Sequence, residues 1–153
     1  MILAVAIAIA VGFRDTRDRL IPNKWSGLLG ILGVGFQLLR VLGAQWGLPW
    51  EHAIAAHEPS PAVCLACAVA VIVCGVAVEL VYRRHAGKAG MGLGDVKYLA
   101  AWTLVLGPVA IACFAVACLL GALAALARHE RDFALGPWIS ACCVAWLIAC
   151  PWL

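Results

Sequence analysis

Charged residues are scarce in this sequence. They make up 12% of its 153 residues, whereas hydrophobic residues make up 65% and the mean hydropathy is +1.01. A soluble domain has about 25% charged and about 45–50% apolar residues. The scarcity of charge therefore excludes a soluble globular domain, and the excess of apolar residues predicts an integral membrane protein.

The sequence also lacks an internal repeat, a low-complexity tract and a linker, so we interpret residues 1–153 as a single transmembrane domain. A spanning helix needs roughly 20 residues, which allows about six spans with short loops. We predict an all-α membrane protein, a bundle of about six transmembrane helices. Its apolar runs cover 1–12, 25–43, 61–82, 136–152 and a longer stretch, 96–127, that breaks into two helices at Gly107-Pro108. The short first run leaves open whether the native chain starts upstream of Met1.

Basic residues are concentrated in three segments, which we place as loops at 13–24, 83–97 and 128–132. Because basic loops stay in the cytoplasm, this distribution predicts that these loops face the cytoplasm and that both termini face outward. The small net charge of +3 is spread over these loops and gives no indication of nucleic-acid binding. Of the eleven basic residues, only Arg40 lies outside the three loops. The ten in the loops are Arg14, Arg17, Arg19, Lys24, Arg83, Arg84, Lys88, Lys97, Arg128 and Arg131.

Metal-binding and thiol-catalytic patterns are missing. All eight cysteines lie in apolar runs. Cys64-x-x-Cys67 has the spacing of a metal site, but a four-thiolate zinc site would need a second pair. We interpret the cysteines as small packing residues. His52 and His57 lie in a loop without basic residues, 44–60, and we favour a solvated outer loop over a metal site. We expect neither a metal nor a cofactor.

Two acidic residues occupy matching places at the ends of apolar runs. Asp15 follows the first run inside a dense charged turn, and Asp95 follows Gly92 and Gly94, just before the run that begins near Tyr98. An acid at a membrane helix end is costly and is expected to have a function. Glycine lets a backbone or a bound peptide approach closely. An even number of spans separates the two acids, so the predicted topology places both on the cytoplasmic side.

Two carboxylates in close contact cannot both ionise easily, so one keeps a proton. The ionised member can then take a proton from water while the other hydrogen-bonds a scissile carbonyl. The alternatives are structural: Asp95 would complement a helix dipole, and Asp15 would be a surface acid in a basic cluster. Asp18 is a weaker candidate for the first acid. Glu79, near the inner end of its span, is expected to reach the headgroups; the alternative is that it faces the bundle interior.

Three motifs resemble those of the type IV prepilin peptidases and occur in that family's order. Residues 15–23, Asp-Thr-Arg-Asp-Arg-Leu-Ile-Pro-Asn, resemble the first catalytic motif and end in Pro22 and Asn23. Residues 92–97, Gly-Leu-Gly-Asp-Val-Lys, resemble the GxGD motif followed by x-Lys. Residues 134–138, Ala-Leu-Gly-Pro-Trp, resemble the segment that opens the last span and contain Gly136 and Pro137.

The resemblance implies an aspartic endopeptidase of the inner membrane that removes the basic leader of prepilins or pseudopilins at the cytoplasmic face. It makes Asp15 and Asp95 the catalytic pair. Lys97 carries over only as a motif residue, and a charge interaction with Asp95 is a hypothesis. The long bacterial form has an extension with two Cys-x-x-Cys pairs and also N-methylates its product. This chain looks more like the short, peptidase-only form of tight-adherence or archaellar systems, so we expect no methyltransferase activity.

Two other functions fit parts of the pattern. Proteases of the presenilin type share GxGD, but they use a Tyr-Asp string and a Pro-Ala-Leu string that this sequence lacks. A membrane scaffold that only binds pilins would not need both aspartates. The expected partners are therefore a prepilin or pseudopilin and the lipid bilayer. The oligomeric state, the particular substrate and the role of Glu79 are left open. Four glycines of the second run suit close helix packing: Gly27, Gly30, Gly33 and Gly35.

Overall fold

In the computed structural model, residues 2–18, 23–48, 59–87, 92–129 and 134–149 are described, apart from the side chains of residues 16–18 and 86. These residues form helices and no strand, which confirms the prediction of an all-α bundle. Six helices follow one another: α1 Ile2–Asp18, α2 Asn23–Gln45, α3 Pro61–Ala86, α4 Leu93–Leu106, α5 Val109–Arg128 and α6 Gly136–Ala149.

Three of these helices are long and apolar enough to cross a membrane: α2, α3 and α5. The helix α6 is also apolar but is shorter than these three. The remaining two, α1 with 17 residues and α4 with 14, are shorter than a full span. The short helix α4 packs against α2, α3, α5 and α6, and nine of its fourteen residues are buried.

The prediction of a charged turn over residues 14–19 was wrong, because α1 continues as a helix through Asp18. No proline or glycine lies between Gly12 and Pro22, and arginine is among the better helix formers. The helix therefore has no reason to stop where the apolar residues stop. Asp15 is consequently held on a helix and not on a loop.

The helices alternate in direction, which places six helix ends at one end of the bundle. Lys97 near the start of α4 contacts Asn23 at the start of α2, so these two helices run parallel. The opposite direction of α3 is shown by Cys64, which lies beside Gly107, and by Gly75, which lies beside Val96. We call this end, with residues 14–18, 23–24, 83–87, 92–97, 128–129 and 134–137, the charged end. Its cytoplasmic orientation stays a prediction.

Close packing through glycine occurs at one of the four glycines expected to provide it. A Cβ on Gly33 would lie 2.6 Å from the Cβ of Leu104, so only glycine lets α2 approach α4 there. Gly30 has its nearest neighbour at 4.0 Å, and Gly27 and Gly35 face open space. The interpretation therefore holds for Gly33 and was wrong for Gly27 and Gly35.

The predicted break between α4 and α5 is confirmed at Gly107-Pro108. Gly107 has a φ of +62°, which favours glycine, and its N–H caps α4 by donating to Thr103 at 2.9 Å. Pro108 has no N–H to give to the carbonyl of Leu104, four residues earlier. The side-chain amide of Gln37 on α2 donates to that carbonyl at 2.7 Å. Gln37 thus replaces the hydrogen bond that proline removes, and it ties α2 to α4.

Candidate active site

The first acid, Asp15, is positioned by the packing of α1 against α6. A Cβ on Gly12 would lie 3.7 Å from Pro137 and 3.9 Å from Ser140, so the two helices are in van der Waals contact there. Asp15 lies one turn further along α1 and is only 5% exposed. Its Oδ2 accepts a hydrogen bond of 3.0 Å from the backbone N–H of Gly136.

Gly136 is the first residue of α6, so its N–H has no partner within the helix. Together with the helix dipole, such an N–H stabilises a negative charge. Pro137 in the same turn has no N–H to give, which costs little at a helix start. Burial nevertheless outweighs this bond, and the pKa of Asp15 is raised above its ordinary value. The carboxyl group therefore holds its proton more strongly than a solvated aspartate.

The second acid, Asp95, lies in the first turn of α4. Gly92 is the N-cap of this helix, and its carbonyl accepts the N–H of Asp95 at 3.0 Å. A Cβ on Gly92 would lie 3.1 Å from Oδ2 of Asp95, which is closer than an ordinary contact. The carboxylate therefore lies in the space beside the glycine that a larger residue would narrow, and Gly94 lies between the two residues in the same turn.

The two acids interact although 80 residues separate them in the chain. Burial raises the pKa of Asp95 to about 6, and the negative charge of Asp15 contributes to that rise. Both residues lie at the charged end, outside the apolar runs. A negative charge that raises the pKa of a second, nearby carboxyl group is typical of a carboxyl pair that shares a proton.

The lysine and asparagine of the two motifs also meet at this end. Nζ of Lys97 lies 3.5 Å from Oδ1 of Asn23, the first residue of α2. No ion pair joins Lys97 to Asp95, and both residues are within the described part of the chain. The hypothesis that Lys97 is the charge partner of Asp95 is therefore not supported. Its described contact links the starts of α2 and α4 instead.

The expectation that Glu79 reaches the headgroups was wrong, because its side chain is only 2% exposed. It accepts a hydrogen bond from Nε of Arg83, one turn later on α3, in a salt bridge. Arginine at position i+4 supplies the compensating charge that a buried carboxylate needs. Arg40 is also buried, and it donates to the carbonyl of Pro59 at 2.8 Å, far from the two aspartates.

Two polar contacts of the site were not predicted from the sequence. The backbone donor on Asp15 was not expected, because the sequence does not say which helix start faces which side chain. The second contact joins the hydroxyls of Tyr98 and Ser140 at 2.7 Å. The only indication of this contact in the sequence is that Tyr98, which can form a hydrogen bond, follows Asp95 by three residues, or about one helical turn.

Some of the residues predicted from the sequence lie outside the part of the chain that the structure describes. These are Pro22, the histidines His52 and His57, and the side chain of Asp18. Among the described residues, no group of three His, Cys, Asp or Glu side chains could hold a metal ion. The described site consists of two carboxyl groups, the N-termini of α4 and α6, and the hydroxyl pair of Tyr98 and Ser140.

Comparison with known proteins relates the chain to a family of peptidases. The model of the type IV leader peptidase family matches residues 2–126, which include both aspartates, Gly92 and Lys97. No curated protein and no solved structure is significantly similar to the chain. The matched residues cover α1 to α4 and all but the last two residues of α5.

Proposed function

The chain belongs to the type IV leader peptidase family, and from this premise we propose that it is an aspartic endopeptidase that cleaves the leader of prepilins or pseudopilins. Cleavage would take place at the cytoplasmic face of the inner membrane, where the charged end lies in the predicted topology. The observation that carries the proposal is the electrostatic interaction between Asp15 and Asp95, two buried acids from distant parts of the chain. A structural role as a helix-dipole partner would require neither acid to interact with the other.

In the proposed mechanism the two acids have different roles. Burial raises the pKa of both acids, but the N–H of Gly136 favours the ionised form of Asp15 relative to Asp95, so Asp15 is the base that takes a proton from water. The interaction with Asp15 favours the protonated form of Asp95, so Asp95 hydrogen-bonds the scissile carbonyl. The water attacks that carbonyl, and the tetrahedral intermediate collapses as the proton passes to the leaving amine. The pair titrates as a unit, so the assignment describes its singly protonated state.

The location of the pair suits a leader substrate. The leader is basic and stays in the cytoplasm, and the apolar helix behind it enters the bilayer. The scissile bond of such a substrate would lie at the membrane surface, level with the charged end. Basic residues near Asp15, such as Arg14, would not attract a basic leader, and we assign them to topology and lipid contact.

Co-expression with a prepilin from the same genome tests the proposal, with leader removal scored by gel shift. We compare the wild type with Asp15→Asn and Asp95→Asn, and use Asp18→Asn as the matched control. We expect cleavage to be lost in the first two variants and kept in the third. If cleavage is lost only in Asp18→Asn and Asp95→Asn, the first catalytic acid is Asp18 and not Asp15. If Asp95→Asn still cleaves, the protein is not an aspartic peptidase, and a pilin-binding scaffold is the remaining function.

The same experiment checks the product. Mass spectrometry of the mature N-terminus reports whether it carries a methyl group. We expect an unmodified amine, as in the peptidase-only form of the family. A methylated N-terminus that depends on this protein would contradict that expectation without affecting the peptidase assignment.

A further inference from the structure

A layer of polar and small residues lies one helical turn inside the two acids. Gly12 precedes Asp15 by three residues, Tyr98 follows Asp95 by three, and Ser140 follows Gly136 by four. The hydroxyls of Tyr98 and Ser140 are 2.7 Å apart, and the two residues are 0% and 6% exposed. Gly12 completes the layer from α1, because a Cβ there would lie 3.9 Å from the hydroxyl of Ser140.

The hydrogen bond in this layer links the helix that carries Asp95 to the helix whose N-terminus binds Asp15. Tyr98 lies on α4, which carries Asp95, and Ser140 lies on α6, whose first N–H binds Asp15. Apolar contacts between helices tolerate small shifts along and around the helix axes. A buried hydroxyl pair at 2.7 Å does not, because its distance and angle are narrow and its loss leaves two unsatisfied groups.

We propose that Tyr98 is a positioning residue of the peptidase, whose hydrogen bond to Ser140 fixes the separation of Asp15 and Asp95. The catalytic consequence rests on the proposed function, whereas the consequence for the carboxyl pair does not. Two like charges repel each other when both are ionised. Without the bond between Tyr98 and Ser140, α4 and α6 are free to move apart at the charged end, and the interaction between the acids becomes weaker.

The variants tested below keep the charged residues nearest the two acids in the chain, Arg14 and Lys97, so a change in the titration of the pair reports its separation. Asp15 interacts with Tyr98, and Asp95 interacts with Cys118 on α5. Both groups are uncharged below about pH 8 in their ordinary state. On α3 and α4 the charged neighbours have other described contacts, Glu79 with Arg83 and Lys97 with Asn23.

The test removes either hydroxyl. Tyr98→Phe keeps the ring, which packs edge-on against Trp102 at 6.2 Å between centroids, and loses only the hydroxyl. Ser140→Ala removes the partner. The matched controls are Tyr82→Phe, at a residue 44% exposed, and Ser26→Ala, at a serine 6% exposed whose hydroxyl has no hydrogen-bond partner among the described residues.

The first readout is cleavage of a synthetic prepilin by purified protein across pH. We expect Tyr98→Phe and Ser140→Ala to lower kcat roughly ten- to hundredfold with little change in KM, as for a displacement of about 1 Å. The alkaline limb of the pH profile should move to lower pH, by about half a unit or more, as repulsion weakens. The double variant should equal either single variant, because both remove one bond. The controls should match the wild type.

The second readout does not need activity. Protein labelled with ¹³C at the aspartate carboxyls is titrated in detergent by NMR, and Asp15→Asn and Asp95→Asn assign the signals. We expect the upper apparent pKa of the pair to fall in Tyr98→Phe and Ser140→Ala. An unchanged titration, or a lower kcat with an unmoved pH profile, would overturn the proposal and leave Tyr98 a packing residue. If the wild type cleaves no prepilin, the proposed function fails and the titration alone decides the inference.

Discussion

The space beside Gly92 gives a graded test of the site, because the carboxylate of Asp95 fills the place of the missing side chain. In Gly92→Ala the new Cβ would lie 3.1 Å from Oδ2, whereas ordinary contact begins near 3.4 Å. The carboxylate must therefore move by about 0.3 Å. If a displacement of about 1 Å costs roughly a hundredfold in rate, this smaller one costs about three- to fivefold in kcat.

The backbone of α4 should not be affected by that change. Gly92 has a φ of −65° and a ψ of 129°, which alanine adopts without strain, and it makes no side-chain cap that could be lost. The assay is kcat on a synthetic prepilin, with Gly35→Ala as the control because a Cβ there meets nothing within 4 Å. Gly92→Val should lose more activity than Gly92→Ala. Wild-type rates for both Gly92 variants, or an equal loss in Gly35→Ala, would show that the Asp95 carboxylate does not depend on the space beside Gly92.

Two further predictions follow from the described contacts. The pKa of Asp95 is raised to about 6, so the proton it must carry is lost as pH rises, and kcat/KM should fall with a midpoint near pH 6; a rate that stays level from pH 5 to 8 would contradict this. Gln37→Leu leaves the carbonyl of Leu104 without its 2.7 Å donor and should lower the free energy of unfolding by about 1–3 kcal/mol, measured by denaturation in detergent, whereas the exposed Gln45→Leu should change it little.

The sequence was sufficient to predict the helices and to place the two acids at the same end of the bundle. Composition and run length predicted an all-helical membrane bundle, and Gly107-Pro108 predicted the break between α4 and α5. Parity of the spans placed Asp15 and Asp95 at one end. These features depend on local composition or on the number of spans, and both can be obtained directly from the sequence.

The contacts that build the site depend on how the helices face one another. The N–H of Gly136 reaches Asp15 because α1 and α6 are antiparallel neighbours, and run lengths do not reveal neighbours. The same is true of the bond between Tyr98 and Ser140. Glu79 was assigned to the headgroups from its depth alone, and only the packed bundle shows it buried beside Arg83. The charged turn was wrong because polarity marks the membrane boundary and not the end of a helix.

The central claim is that Asp15 and Asp95 act as one pair, and the most direct test is the titration of the Asp95 carboxyl in the wild type and in Asp15→Asn. Asparagine keeps an oxygen that can accept the N–H of Gly136, so the variant removes the charge and preserves the shape. We expect the pKa of Asp95 to fall from about 6 toward its ordinary value of 3.8 without reaching it, because burial is the larger cause of the rise. An unchanged pKa would contradict the pair.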